Sequence, residues 1–259
     1  MKELVSTELH EFIAIVRLHR PEKLNALSRE MLDELGQAFS RLTNDRNLRA
    51  VILTGAGRGA FSAGTDIAEL TALDKNSASE ASLRGQAICE QIAGFCVPVI
   101  AAVSGVAAGG GCELALACHL RVASIDAEFS LPETKIGMIP AYGGTQRLAH
   151  IIGSGRAIEM ALTGRKVPAD EAFRIGLVNR LADPDKLLSE AELFAGEIAR
   201  LAPLAIRACL EAVTKGIDLS LEQGLELEAE LFSRLFATDD VREGTRAFLE
   251  KRVPVFKGR

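Results

Sequence analysis

The sequence has no tryptophan, a single tyrosine and no long apolar run, and each of these shortages excludes a class of function. With one tyrosine and no tryptophan, a platform on which bases stack is not expected. The formal net charge is -5, which does not suggest the basic surface that nucleic-acid binding uses. No run reaches the roughly 18 apolar residues of a membrane helix. Residues 1–12 lack the apolar core of a signal peptide and are too acidic for a transit peptide. We therefore expect a cytoplasmic protein that binds neither nucleic acid nor membrane.

Cysteine and histidine are also sparse and show no metal-ligand spacing. No C-x-x-C occurs, the four histidines are scattered, and the cysteines are odd in number. This pattern predicts buried free thiols in a reducing compartment and no structural zinc. The five cysteines are Cys89, Cys96, Cys112, Cys118 and Cys209.

What is present is an alternation of apolar strands and helices, which indicates an α/β protein. Residues 12–18, 51–54 and 98–104 read as buried strands, and residues 120–124 and 128–130 as shorter ones. The segment 28–42 has its apolar residues on one helical face, with Ser28 as N-cap. Strands that are apolar on both faces need helices over the sheet.

From about residue 187 the pattern changes to one helix after another. Pro203 is placed to begin one of them, and residues 219–237 carry a broad apolar stripe. Such a stripe needs a partner surface, which is either the rest of the same chain or a second copy. The pattern favours oligomerisation. The stripe consists of Leu221, Leu225, Leu227, Leu231, Phe232, Leu235 and Phe236.

Two glycine-rich segments resemble nucleotide-binding motifs but lack the required context. Residues 55–60 read GAGRGA after a strand, yet the next residues, FSAGT, do not open a helix. Residues 105–111 read GVAAGGG and lack the Gly-Lys-Ser/Thr ending of a P-loop. No G-x-S-x-G elbow is present either. The sequence therefore predicts no nicotinamide, flavin or nucleoside triphosphate site.

The segment SGVAAGGGCELA, residues 104–115, carries the strongest chemical signal. Three consecutive glycines are costly in chain entropy, and they suit a backbone that must come close to a ligand with its N–H groups free. Those groups lie at the start of an apolar helix, where negative charge is favoured. Glu113 follows among apolar residues. It either faces solvent, stabilised by the helix dipole, or is buried with a raised pKa and carries a proton.

Two further segments complete the pattern. Residues 129–133 read FSLPE, so Glu133 follows a proline that holds its approach extended. A second glycine pair, Gly143 and Gly144, precedes the next predicted helix. Residues 60–67 read AFSAGTDI and offer backbone N–H groups in a glycine-containing turn.

Together these segments resemble the crotonase, or enoyl-CoA hydratase/isomerase, superfamily. The resemblance covers nearly the whole chain in order, from KLNAL at 23–27 through VILTG, PVIAAV and GLV to FLEKR at 248–252. It implies a spiral of ββα units that forms the acyl-CoA site, residues 1–196. It also implies a C-terminal helical region, residues 197–259, that assembles homotrimers or homohexamers.

By this resemblance the site residues take specific roles. The backbone N–H groups of Thr65 and Gly110 hold the thioester oxygen, Glu113 activates water for attack at Cβ, and Glu133 exchanges the proton at Cα. Coenzyme A arrives as part of the substrate, and neither a cofactor nor a metal is implied. The substrate contacts expected in addition are Leu24, Ala26, Ala63, Asp66, Ile67, Gly109, Pro132, Tyr142, Lys251 and Phe256.

The implied activity is hydration of trans-2-enoyl-CoA to 3-hydroxyacyl-CoA, because both family glutamates are present. Alternatives are a 3-enoyl to 2-enoyl isomerase, which generally manages with the carboxyl at Glu133, another thioester or ring chemistry, and a non-catalytic CoA-ester-binding protein. Thr65 stands where alanine is common, and Pro140-Ala141-Tyr142 replaces the usual Pro-Gly-Ala. The branched Thr65 side chain narrows the pocket, and Tyr142 adds a phenol near the acyl site as a packed wall, a lid or a hydrogen-bond donor. These departures leave the acyl part of the substrate open. Residues 70–83, which border the acyl site, are predicted to form a mobile loop.

Overall fold

The computed structural model describes residues 3–259 and has two sheets wrapped by helices. The strands are β1 (Val5–His10), β2 (Ile13–Leu18), β3 (Ala50–Gly55), β4 (Ala60–Ser62), β5 (Val99–Val103), β6 (Val106–Ala108), β7 (Leu120–Ser124), β8 (Glu128–Ser130), β9 (Val167–Pro168) and β10 (Arg180–Ala182). The helices are α1 (Arg29–Leu42), α2 (Ile67–Leu70), α3 (Lys75–Ala93), α4 (Gly110–Ala117), α5 (Gly144–Ile152), α6 (Ser154–Thr163), α7 (Ala169–Arg174), α8 (Leu187–Ala199), α9 (Pro203–Gly216), α10 (Leu221–Leu235) and α11 (Asp239–Glu250).

The chain advances as a spiral in which each turn adds one strand to each sheet. The larger sheet has the order β1-β2-β3-β5-β7-β10, and the smaller has the order β4-β6-β8-β9. Consecutive strand pairs β3/β4, β5/β6 and β7/β8 enter both sheets before a helix returns the chain. Apart from the antiparallel outer pairs β1/β2 and β8/β9, the ladders are parallel. The predicted spiral of ββα units is confirmed.

The apolar strands are buried on both faces, as their sequences predicted. One face of the larger sheet joins the main core with α1, α3 and α4. The other face is covered by α8, whose Leu187, Ala191 and Ala195 pack with Ile52 and Ile100. This double cover explains why these strands read as continuous apolar runs rather than as alternating ones.

Local signals set several element ends where the sequence placed them. Ser28 caps α1 by accepting a hydrogen bond from Met31 N, and Pro203 is the first residue of α9. The GAGRGA segment leads from β3 into β4 rather than into a helix, so it does not have the dinucleotide-binding geometry. All five cysteines are free, as predicted. Cys89, Cys112 and Cys118 are buried, but the prediction of burial is wrong for Cys209, which is exposed, and Cys96 is half-buried.

The prediction of a mobile loop over residues 70–83 is wrong for most of that segment. Helix α3 begins at Lys75, after a capping box in which Asp74 Oδ1 accepts from Ser77 N and Ser77 Oγ accepts from Asp74 N, both at 2.8 Å. The Asp-x-x-Ser pattern was readable in the sequence as an N-terminal helix signal. Small polar residues hid it, because the helix has only a weak apolar stripe.

Candidate active site

A cavity of about 400 Å³ lies where α4 begins, between α3 and the turn that follows β8. Its walls come from four separated parts of the chain, around residues 65, 80, 110 and 135. The predicted site residues that line it are Ala63, Thr65, Ile67, Gly109, Gly110, Glu113, Pro132, Glu133 and Tyr142. The spiral therefore brings both glutamates and both proposed N–H donors to one space.

The glycine triplet lets the start of α4 approach its neighbours closely. Gly109 has φ +50°, and a Cβ there would lie 2.8 Å from Glu133 Oε1. A Cβ on Gly111 would lie 2.2 Å from the carbonyl oxygen of Ser62. Gly110 is the first residue of the helix, so its N–H belongs to the first turn and has no acceptor within the helix.

The turn at Thr65 packs against this helix start. Leu27 donates to Gly64 O at 2.8 Å and accepts from Asp66 N at 2.9 Å. This parallel bridge uses the groups on either side of Thr65 and leaves the Thr65 N–H unused. A Cβ on Gly64 would lie 3.3 Å from Gly110 N, so the two available N–H groups belong to adjoining segments.

Glu113 points into the protein, so of the two sequence interpretations the buried one is right. Its side chain is 2% exposed. Oε1 accepts hydrogen bonds from Tyr142 N at 2.8 Å and from Gly144 N at 2.7 Å. Burial raises the pKa of the carboxyl, and these backbone donors oppose that rise. The bond from Gly144 requires glycine at this position. A Cβ there would lie only 2.8 Å from Glu113 Cγ.

Glu133 lies on the facing wall, in the 3-10 turn of residues Glu133–Ile136. Its Oε2 is buried and has no hydrogen-bond partner among the described residues. Burial, together with the nearby Glu113 charge, raises the pKa of Glu133 to about 7. A carboxyl with such a pKa holds or releases a proton near neutral pH, which is the property of a proton-transfer group.

Tyr142 forms a wall of the cavity and also has a hydrogen-bonded hydroxyl. The side chain is 5% exposed, and its hydroxyl accepts a hydrogen bond from Thr65 Oγ1 at 3.1 Å. Burial raises the pKa of the phenol. Thr65 and Tyr142, two of the residues in which the chain departs from the expected family pattern, are therefore in contact with each other.

Five predicted contacts do not line the cavity. Three of them are Leu24, Ala26 and Asp66, which contact other parts of the chain. Leu24 O accepts a hydrogen bond from Ala63 N at 2.9 Å. Arg20 Nη1 donates to Ala26 O at 3.3 Å and to Asp66 Oδ2 at 2.7 Å. The other two, on the C-terminal segment, are Lys251, which ends α11, and Phe256, which packs beside that helix at Gly244. Contact of these residues with coenzyme A stays a prediction.

The sequence placed residues 70–83 beside the acyl site, but as a loop. The α3 residues Ala78, Ala81 and Ser82 do line the cavity, and the capping signal at Asp74 was the clue to their helix. Arg147 is a part of the site that sequence reasoning missed. Its Nη1 donates to Tyr142 O at 2.9 Å, and its Nη2 pairs with Glu90 at 2.7 Å, so it holds the loop that binds Glu113.

The described part of the chain holds neither a metal-binding cluster nor a membrane helix. Between residues 3 and 259 no group of histidine, cysteine and carboxylate side chains has the arrangement needed to hold a metal ion. Over the same residues no helix combines the length and the apolar character needed to cross a membrane.

A ββα spiral with two carboxyls and two available N–H groups on one cavity defines a crotonase-type fold and site. Residues 8–259 match the model of the enoyl-CoA hydratase/isomerase family. The chain belongs to this family, as the sequence motifs predicted.

Named relatives and a solved structure match nearly the whole chain. The chain is 39% identical to a short-chain-enoyl-CoA hydratase of Clostridium acetobutylicum, with 95% of each chain covered. It is 40% identical to a crotonyl-CoA hydratase of Syntrophomonas wolfei, with 96% of each covered. The crystal structure of an enoyl-CoA hydratase from Bacillus anthracis superposes with a TM-score of 0.96 at 38% identity, covering 99% of this chain and 100% of that one.

Proposed function

We propose that this chain is an enoyl-CoA hydratase that adds water across the 2,3 double bond of a trans-2-enoyl-CoA thioester. The observation that carries the proposal is the pair of carboxyls with raised pKa, Glu113 and Glu133, on the walls of one cavity. The hydratase names of full-length relatives at about 40% identity support it.

The proposed reaction begins with the thioester oxygen bound by the N–H groups of Thr65 and Gly110. Glu113 Oε1 is committed to the backbone, which leaves Oε2 to orient a water molecule and accept its proton. The water oxygen bonds to Cβ, and the π electrons move to the thioester oxygen as an enolate. Two preorganised donors stabilise that charge, each worth about 3–4 kcal/mol in comparable sites. The enolate then takes a proton from Glu133 at Cα.

This sequence of steps needs one proton on the pair of carboxyls, on Glu133 at the start. With its pKa raised to about 7, Glu133 carries that proton over a neutral range in which an ordinary carboxyl would be ionised. After the reaction the proton from water resides on Glu113, so the net proton count is unchanged. No cofactor takes part, and coenzyme A enters as part of the substrate.

The alternatives explain less of the geometry. An isomerase needs a carboxyl that moves a proton at Cα, which leaves the fixing of Glu113 by Tyr142 N and Gly144 N unexplained. A protein that only binds CoA esters has no use for two carboxyls whose burial disfavours their charge. We place the activity in the cytoplasm, as the sequence predicted.

The experiment that tests the proposal is the loss of enoyl absorbance on adding the protein to crotonyl-CoA. We expect turnover within the ordinary enzyme range, about 1–10³ s⁻¹. A 3-enoyl-CoA is assayed in parallel. Conversion of the 3-enoyl ester with no hydration of any 2-enoyl-CoA would replace this proposal with the isomerase.

We further propose that the C-terminal helices assemble the chain into a homotrimer or homohexamer. On α10 only Leu231 is buried, whereas Phe232 is 63% exposed and Phe236, just after the helix, is 58% exposed. Large exposed apolar patches mark contact surfaces. Sedimentation should give three or six times the chain mass, and Phe232→Glu with Phe236→Glu should shift it towards the monomer. A wild type that sediments as a monomer would refute the proposal.

A further inference from the structure

A second space of about 310 Å³, called the rear chamber below, adjoins the cavity that holds the two glutamates. The two spaces share the lining residues Thr65, Leu70, Leu73, Ala81 and Tyr142. Neither glutamate lines the rear chamber. The shared residues therefore form a partition between the reacting end of the site and an unused space.

The central part of this partition is the contact between Thr65 and Tyr142. Thr65 Oγ1 donates to the Tyr142 hydroxyl at 3.1 Å, which closes the gap between the turn after β4 and the loop before α5. Because both partners of this bond are side chains, truncating either one would remove the contact between the cavity and the rear chamber. The partners are 77 positions apart in the chain.

Tyr142 is also held firmly from other sides. Its ring lies on α3 at Gly85, where a Cβ would be 2.0 Å from Tyr142 Cδ1. Its carbonyl accepts from Arg147 at 2.9 Å, and its N–H donates to Glu113 at 2.8 Å. A ring fixed at both its backbone and its face does not swing aside at low cost, because it has no free rotamer space.

The rear chamber has an apolar inner wall that suits an alkyl group. Its inner wall includes the buried Leu27 and Leu32. Four charged residues, Arg29, Glu69, Glu80 and Arg84, also line it, and two of their groups have partners. Glu69 Oε2 accepts from Arg29 N at 2.9 Å, and Arg84 Nε lies 3.7 Å from Asp33 Oδ1. An apolar chain placed against Leu27 and Leu32 would be removed from water without displacing either of these two contacts.

We propose that the Thr65–Tyr142 contact sets the acyl length of the substrate, confining the enzyme to short 2-enoyl chains and closing a latent alkyl channel behind it. The inference rests on the proposed hydratase function and adds its substrate class. Thr65 thus has two separable parts, a backbone N–H that faces the thioester site and a side chain that closes the channel.

The test compares kcat/KM for crotonyl-CoA and trans-2-octenoyl-CoA in wild type, Tyr142→Ala and Thr65→Ala. The wild type should prefer crotonyl-CoA. Burying a methylene in an apolar space favours binding by about fourfold, so an opened channel has a ceiling of about 200-fold over four methylenes. We expect the octenoyl-to-crotonyl ratio to rise at least about tenfold in Tyr142→Ala and by a smaller factor in Thr65→Ala, mainly through KM.

Two further variants separate this mechanism from general loosening. Tyr142→Phe keeps the ring against Gly85 and should keep the short-chain preference within about threefold, since the barrier is steric. Met138→Ala widens the first cavity without touching the chamber, because Met138 lines only the former. Its ratio should stay near that of the wild type. Binding of octanoyl-CoA, measured by calorimetry, gives a readout that does not depend on turnover. The affinity should rise in Tyr142→Ala and should not rise in Tyr142→Phe or Met138→Ala.

The outcomes distinguish the length limit from the hydratase function on which it rests. A wild type that hydrates no 2-enoyl-CoA overturns the proposed function. A wild type that hydrates crotonyl-CoA and octenoyl-CoA equally well leaves that function standing and overturns the length limit. The same holds if the ratio in Tyr142→Ala and Thr65→Ala equals that of the wild type, or if Met138→Ala shifts it as far as Tyr142→Ala does.

Discussion

Glu113→Gln is expected to lower kcat for hydration of crotonyl-CoA about a thousandfold, within the range that positioned proton-transfer groups contribute. The amide keeps an oxygen that accepts from Tyr142 N and Gly144 N, so the loop stays in place. Its NH2 group then occupies the position of Oε2 and cannot take a proton from water. The loss should appear in kcat more than in KM, because the thioester contacts do not involve this side chain.

A matched control is Glu128→Gln on β8. This carboxyl pairs with Lys166 at 2.6 Å on a partly exposed surface and does not line the cavity. Its activity should stay within about twofold of the wild type. Hydration by Glu113→Gln at more than about a tenth of the wild-type rate would remove Glu113 from the proposed mechanism.

Glu133→Gln is expected to abolish hydration to a similar degree and, unlike Glu113→Gln, to stop proton exchange at Cα. Exchange needs only a carboxyl near Cα and a stabilised enolate, so uptake of deuterium from heavy water by saturated butyryl-CoA isolates this step. Wild type and Glu113→Gln should both exchange, and Glu133→Gln should not. Exchange that persists in Glu133→Gln and disappears in Glu113→Gln would reverse the two assignments.

Glu133→Gln is expected to lose activity and to gain stability. A gain in the free energy of unfolding would show that the variant is not inactive because it is unfolded. In the fold the pKa of Glu133 is raised from 4.5 to about 7, so the ionised carboxyl is disfavoured relative to the unfolded chain. Wild-type stability therefore falls as pH rises through this interval, whereas glutamine has no charge to bury. We expect Glu133→Gln to be about 1–2 kcal/mol more stable than the wild type at pH 8 and unchanged at pH 4. The figure is smaller than the full pKa shift implies, because solvent screens a partly exposed carboxyl. Denaturant unfolding at both pH values measures it.

The sequence by itself determined the α/β class, the buried strands, the helix that begins after Ser28, and the family. Strands buried on both faces appear as unbroken apolar runs, and caps such as Ser28 act on backbone groups a few residues away. The family motifs are short segments too, because the glycines at 109–111 and Glu113 lie close together in the chain. Such signals are readable because the interacting groups are neighbours in the chain.

Helix α3 is an element that the local sequence did not predict. Its capping box at Asp74 was visible, but its apolar stripe is weak, and the segment looked like a polar loop. The helix is fixed by packing, with Cys89 and Ile92 in the core and Gly85 under the Tyr142 ring. Propensity is overridden by tertiary contact in such a segment.

Only the tertiary structure decided whether Glu113 faces solvent, what raises the pKa of Glu133, and which residues Thr65 and Tyr142 contact. Glu113 is held by N–H groups 29 and 31 positions later, and Tyr142 meets Thr65 across 77 positions. The raised pKa of Glu133 comes from burial by segments remote in sequence and from the charge of Glu113. Desolvation and long-range hydrogen bonds depend on which distant segments the fold brings together, and no local pattern of residue types contains that information.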